Sequence, residues 1–217
     1  RNNYNAYLKF LLEDLGYTGF RYDMVKGYGA NYVGQYNHTS KPQFSVGEYW
    51  DNSRSIKLWV LKTRVDNVPQ SAAFDFPFRY TVRDAANSGD WSKLQNDNNA
   101  PLNSDNRFRQ YAVTFVENHD TQMRSESEPL DPIKKDTLAA NAYLLAMPGT
   151  PCVFYRHWLD HKQAIKAMIE VRRAAGITNT SVSSVVANAP KQYVVAVEGT
   201  KGKLLCVLGD EADSYAP

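Results

Sequence analysis

Ten residues near the start, Gly19-Phe-Arg-Tyr-Asp-Met-Val-Lys-Gly-Tyr28, set one carboxylate, Asp23, between two cations, Arg21 and Lys26. Read as an extended strand with alternating faces, the stretch would gather these three charged side chains on one face. Cations beside a carboxylate depress its pKa and keep it ionised; the competing reading is an edge strand with a solvated charged face. A second acid, Glu48, stands in Phe44-Ser-Val-Gly-Glu-Tyr-Trp50. That apolar and aromatic setting would raise its pKa, against the alternative of a strand-end Glu turned to solvent. An ionised carboxylate beside one that carries a proton is what glycosidic cleavage requires. One attacks or stabilises the sugar cation, and the other protonates the leaving oxygen. Phe115-Val-Glu-Asn-His-Asp120 adds a third carboxylate and a neutral hydrogen-bonding ring. A His-Asp step is also a metal-ligand pairing, but neighbours on a strand point to opposite faces, so His119 and Asp120 could share an ion only where the strand has ended.

These residues need strands to carry them. Tyr4, Tyr7, Leu8, Leu11, Leu12 and Leu15 fall at helical spacing before Gly16. Strands are expected at 19–25, 44–50, 72–76, 112–116 and 150–155. Helices are expected near 53–65, 78–87, 132–147 and 161–175, with 29–38 helical or loop-like and 87–107 a long loop. Past Gly176 the pattern changes to short β-rich runs at 182–186, 192–197 and 203–208, a meander without helices. The division expected is therefore 1–177 and 178–217. Alternating strands and helices imply a parallel sheet, either doubly wound or a (β/α)8 barrel. No glycine-rich phosphate turn follows a strand, while Asp23, Glu48, Asp75 and Asp120 all sit at strand C-termini, where a barrel builds its site. The fold expected is α/β, a partial (β/α)8 TIM barrel of about five β/α units followed by a short all-β segment. A barrel needs eight strands, so the expectation is the C-terminal part of a larger enzyme, cut at both ends.

Composition narrows the partners. The 217 residues carry 25 basic and 23 acidic side chains, net +2, which predicts neither a nucleic-acid footprint nor a polybasic membrane patch. No run of about 18 apolar residues is present to span a bilayer. Fourteen Tyr and four Trp offer flat apolar faces with polar handles, suited to stacking on sugars, although most are expected to be ordinary core and rim residues. Cys152 and Cys206 lie in strand-like runs without metal-ligand spacing and are expected to be buried free thiols.

Gly19–Tyr28, Val46–Trp50 and Phe115–Asp120 together resemble three conserved stretches of the α-amylase family of glycoside hydrolases. Lys26-Gly27-Tyr28 and Pro148-Gly-Thr-Pro-Cys-Val-Phe-Tyr155 resemble its plant-type branch. The resemblance covers roughly residues 4–210. It implies a retaining endo-hydrolase of α-1,4-glucosidic bonds in starch-like glucans, present here as a fragment and acting on α-glucan or maltooligosaccharide as a monomer. Asp23 matches the nucleophile, Glu48 the acid/base, Asp120 the carboxylate that holds sugar hydroxyls, Arg21 the partner of the nucleophile and His119 a donor to the same sugar. Lys26, Gly27 and Tyr28 match residues on the product side, with Trp50 a stacking surface there. A structural Ca2+ is implied, with the Gly27 backbone carbonyl as one ligand and most others outside this chain. The family stretch that supplies another His and Asn is absent, as is the excursion domain that holds most calcium ligands, and the loop Arg156–Asp160 is short. The rival readings are a transglycosylase on the same site, an inactive glucan-binding protein, and a metal-dependent barrel hydrolase. A substrate too large to import favours a secreted or periplasmic setting.

Overall fold

The computed structural model describes residues 2–128 and 130–216. Strands β1 (Gly19–Tyr22), β2 (Phe44–Gly47), β3 (Ala72–Phe74), β4 (Ala112–Thr114) and β5 (Thr150–Pro151) pair in parallel, each beside its predecessor in sequence. Helix α1 (Asn2–Glu13) precedes β1, and α2 (Ala30–Ser40), α3 (Ser53–Lys62), α4 (Phe76–Ser88) and α5 (Thr137–Ala146) fill the crossovers. Helix α6 (Tyr155–Ala175) follows β5. A parallel sheet in strict chain order with a helix in each crossover is an arc of a (β/α) barrel. Strands β6 (Val182–Ala189), β7 (Gln192–Glu198) and β8 (Lys203–Leu208) then form a separate antiparallel sheet.

Short-range chemistry explains the elements next to the strand tips. Asn52 caps α3 by accepting from the Ser55 amide at 3.0 Å, and Ile56, Trp59 and Val60 repeat on its buried face. Gly47 is required there: a Cβ would sit 2.2 Å from the Trp59 ring, so the bare backbone lets α3 lie on β2 immediately before Glu48. Helix α4 is capped by Asp75 at its start and by Gly89 at its end, where a φ of 69° belongs to the left-handed region open to glycine. Phe78 and Val82 of α4 and Leu144 and Met147 around α5 share one core with Tyr193, Val195 and Val197 of β7 and Cys206 of β8. Burying each such side chain is worth about 1.5–3 kcal/mol, and this core ties the meander to the barrel helices.

Several expected bounds move. Strand β1 stops at Tyr22, before Asp23, and Val25–Gly27 is a 3-10 turn. Period two would in any case have put Lys26 opposite Arg21, so the three charges do not share a strand face. The 29–38 stretch is the regular helix α2, and 87–107 is threaded by 3-10 turns at Trp91–Leu94, Asp97–Asn99 and Leu102–Ser104. Helix α5 starts at Thr137 rather than near 132, behind Pro132 and Asp136 in left-handed backbone (φ 54°). Arg156–Asp160 is not a loop but the first turns of α6, which kinks at His161 (φ −131°). The apolar stripe of α1 is largely solvent-facing, with Leu8 its buried residue. Cys152 is exposed, against expectation, whereas Cys206 is buried; both are free.

Asp75 also departs from expectation. It does not join the other strand-tip acids; it faces inward, accepting from the Phe78 amide at 3.2 Å and the Asn103 amide at 3.1 Å. Burial pushes its carboxyl up to about 6, against the pull of those amides. The ordinary value is 3.8, so the folded state holds this proton more tightly. The stabilisation is full below about pH 4, is lost as pH rises through about 6, and is on the order of 3 kcal/mol. The thermal midpoint of the parent should therefore fall between pH 4 and pH 7 relative to Asp75→Asn, which has no such titration. A constant offset between the two across that range would refute this.

Candidate active site

Asp23, Glu48, His119 and Asp120 all emerge just past the C-terminal ends of β1, β2 and β4, on one rim of the sheet. Glu48 is held closely. Its amide donates to the Tyr22 carbonyl at 2.9 Å, and its own carbonyl accepts from the Val25 amide at 3.1 Å. The side chain, on a residue only 8% exposed, accepts from the Met24 amide at 2.9 Å through Oε2 and meets Arg21 Nη2 at 3.3 Å through Oε1. Met24 reaches that position in left-handed backbone, φ 42° and ψ 50°, which turns its N–H back toward Glu48. The Glu48 carboxyl therefore faces a guanidinium and an amide, not the purely apolar setting expected from its neighbours in sequence.

Arg21 joins the two carboxyls. Its Nη1 donates to Asp23 Oδ1 at 2.6 Å while Nη2 faces Glu48. The Arg21 hydrogen bond first, and a hydrogen bond from the Glu48 side chain second, hold the Asp23 carboxyl below its ordinary value. Burial, which raises a carboxyl pKa, opposes that lowering only slightly, since the Asp23 side chain is 74% exposed.

His119 Nε2 lies 3.2 Å from Asp120 Oδ2, and Arg124 Nη2 lies 3.6 Å from Asp120 Oδ1. The strand has ended at Thr114, five residues before His119, which is how adjacent residues come to lie side by side. Among the described residues, no group of three or more His, Cys, Asp or Glu is placed to hold a metal ion.

Arg21, Glu48, Glu117, Asn118 and His119 line a recess of about 290 Å³ whose apolar wall includes Phe74, Phe115 and Phe154. Asp23 and Asp120 stand at its margin, outside the lining. Lys26 lies away from the carboxyl pair, bonded to the Trp50 carbonyl at 2.9 Å and Asp51 Oδ2 at 2.7 Å. Tyr28 belongs instead to an aromatic groove with Tyr4, Tyr7, Tyr32 and Tyr36. Burial, and next the charge of Asp23, raise its hydroxyl pKa. Trp50 packs one ring face on Phe76 at 4.9 Å and donates to the Tyr80 hydroxyl at 2.5 Å, so the sequence-based picture of an open stacking platform leaves it one face. Above Gly27 there is open space.

Two participants escaped the sequence reading: Glu117, which lines the recess, and Arg79, which stands behind it. Arg79 lies three residues before Val82 and seven before Ala86, both buried on α4. An Arg at core spacing on a helix is the signal that would have found it.

No family model matches the chain. "Probable alpha-amylase 2" of Arabidopsis thaliana is 32% identical over 228 aligned positions, covering 97% of this chain and 53% of that protein. The glucan 1,4-alpha-maltotetraohydrolase of Stutzerimonas stutzeri is 29% identical, covering 93% of this chain and 38% of its own. The chain thus spans about half, or less, of the length of these relatives. Among solved structures, AmyP in complex with maltose superposes with a TM-score of 0.67 at 15% identity, over 94% of this chain and 56% of that one. The gamma-CGTase from alkalophilic Bacillus clarkii gives 0.72 at 16% identity, over 94% and 33%. At such identities the structural likeness speaks for the fold.

Proposed function

The chain belongs to the α-amylase family of glycoside hydrolases, and from that premise we propose that it carries the cleavage site of a retaining endo-hydrolase of α-1,4-glucosidic bonds in starch-like glucans. The observation that carries the reading is one guanidinium, Arg21, touching both Asp23 at 2.6 Å and Glu48 at 3.3 Å. Carboxyls gathered on a single cation suit the close pairing of retaining enzymes, about 5–5.5 Å, better than the wider gap that admits water between them.

In this reading Asp23, ionised beside Arg21, attacks the anomeric carbon while the Glu48 carboxyl gives its proton to the departing glycosidic oxygen. The glycosyl–Asp23 ester then yields to water, which loses its proton to the Glu48 carboxylate, so both groups end as they began. His119 and Asp120 hold hydroxyls of the reacting sugar, with Lys26, Gly27, Tyr28 and Trp50 toward the product side. Maltooligosaccharides are the substrate class this implies, in keeping with the maltose bound to AmyP. Ca2+ takes six to eight oxygen ligands, and among the described residues no cluster of three or more acidic side chains stands ready to supply them. If the Gly27 carbonyl serves a structural Ca2+, the remaining ligands come from other parts of the natural chain, and no catalytic step passes through it.

The test is proton NMR of maltopentaose during hydrolysis by the natural full-length chain. Shorter products should appear first as the α-anomer. Initial β-anomer would overturn retention; products longer than the substrate would move the assignment to a transglycosylase; tight binding without turnover would leave a glucan-binding protein.

A further inference from the structure

The turn that presents His119 and Asp120 is not held by strand pairing. Strand β4 ends at Thr114, and helix does not resume until Thr137. What organises the interval is one buried carboxylate. Glu117, 4% exposed, accepts from the Thr121 hydroxyl through Oε1 and from the Ile133 amide at 2.8 Å through Oε2. Residues on both sides of the 122–132 excursion are thereby fastened to the residue that precedes the Asn118-His119-Asp120 turn. Asn118 completes the turn: its Oδ1 accepts from the Asp120 amide at 2.9 Å and its own amide donates to the Thr121 hydroxyl oxygen at 3.2 Å.

Behind Glu117 lies Arg79 of α4, fully buried. Its Nη2 approaches Glu117 Oε1 at 3.5 Å and also donates to the Asp131 carbonyl; its Nη1 donates to Asp131 Oδ2 at 2.6 Å. Arg83, one turn along α4, engages the same Asp131 carboxylate, and the Asp131 amide donates to the Thr121 carbonyl at 3.1 Å. Helix and loop are joined through a fork of fixed geometry. Stability alone is a poor account of it: desolvating such ions costs several kcal/mol each, and well-packed apolar groups would often do as well. An apolar pair, however, could not set the direction of the Thr121 hydroxyl and the Ile133 amide.

We propose that Arg79 and Glu117 are positioning residues for His119 and Asp120, holding their turn in register with the Arg21–Glu48 side of the recess. The proposal rests on the reading of His119 and Asp120 as groups that hold the reacting sugar. Glu117→Gln keeps volume but turns an NH2 toward either Thr121 or Ile133, both donors, and removes the charge facing Arg79.

The test compares the natural full-length parent with Glu117→Gln, Asp120→Asn and the double variant, each checked for folding by circular dichroism and assayed on maltopentaose. Glu117→Gln should lower kcat about tenfold or more, since sub-ångström to ångström displacements of reacting groups are that costly. In the Asp120→Asn background the same change should cost less than about threefold, because groups that act as a unit are not additive. An equal factor in both backgrounds would mark a general structural effect and overturn the proposal, as would a kcat for Glu117→Gln within about threefold of the parent. If Glu117→Gln does not fold, Arg79→Lys carries the same comparison, since an ammonium cannot reach Glu117 and Asp131 together. Glu48→Gln is the control: undiminished hydrolysis there would overturn the underlying reading, and the proposal with it. Its inactivity alongside additive Glu117 effects would overturn the proposal alone.

Discussion

Glu48→Gln should lower maltopentaose turnover by the natural full-length chain about 10²- to 10⁴-fold, the ordinary worth of a positioned general acid. The backbone on either side of Glu48 is pinned to Tyr22 and Val25, and an amide oxygen can still accept from the Met24 N–H. The substitution therefore keeps the Met24 contact and removes the exchangeable proton, at the cost of an NH2 where Oε1 met Arg21. The cost is about 3–5 kcal/mol of barrier, at 1.36 kcal/mol per decade. Because the function proposed for Glu48 is protonation of the leaving oxygen, the deficit in the first step should shrink for an aryl maltooside whose phenolate departs without a proton. Turnover of maltopentaose within about tenfold of the parent would sink the assignment, since no general acid is worth so little.

Which parts of this site could be read from the sequence follows from what each part depends on. The order of the strands and the helices between them was legible because hydrophobic periodicity is local, and β1 through β5 pair in the order they occur. The strand ends were not. In a parallel barrel arc the ladders overlap by only a few residues, as in the Gly19–Tyr22 register with Phe44–Gly47, and at β1 no glycine or proline marks where the ladder stops. Asp23 was therefore read as strand although it lies one residue past the end. Asp75 misled for the opposite reason: a strand-tip acid and a helix N-cap have the same sequence signature, and only burial and the Asn103 amide distinguish them. Trp50 looked like a sugar platform because nothing in its own stretch announces Phe76 or Tyr80. Arg79 and Glu117 are 38 residues apart, and a pair at that separation is visible only once α4 lies against the β4 loop.

Arg21→Met should move the acid limb of the kcat/KM profile to higher pH and lower kcat/KM at neutral pH by about 10²-fold, comparable to the loss of one stabilising donor at a reacting centre. The sign follows from the contacts. Arg21 is the foremost influence holding the Asp23 carboxyl low, so its removal raises that pKa, and at any acidic pH less of the nucleophile is ionised. The part of the loss that is due to protonation should disappear by neutral pH, where a carboxyl of ordinary value 3.8 is ionised without help, leaving the cost of the missing donor. Arg21→Lys should restore some of the limb position but little of the rate, because one ammonium cannot meet Asp23 and Glu48 from two fixed nitrogens as the guanidinium does. Measured pH profiles of both variants decide the matter, and an acid limb that stays where the parent has it would disprove the role. The Asp23 side chain is 74% open to solvent, so water keeps it ionised while the site is empty. Once a sugar displaces that water, the guanidinium that faces the carboxylate directly is what holds the charge.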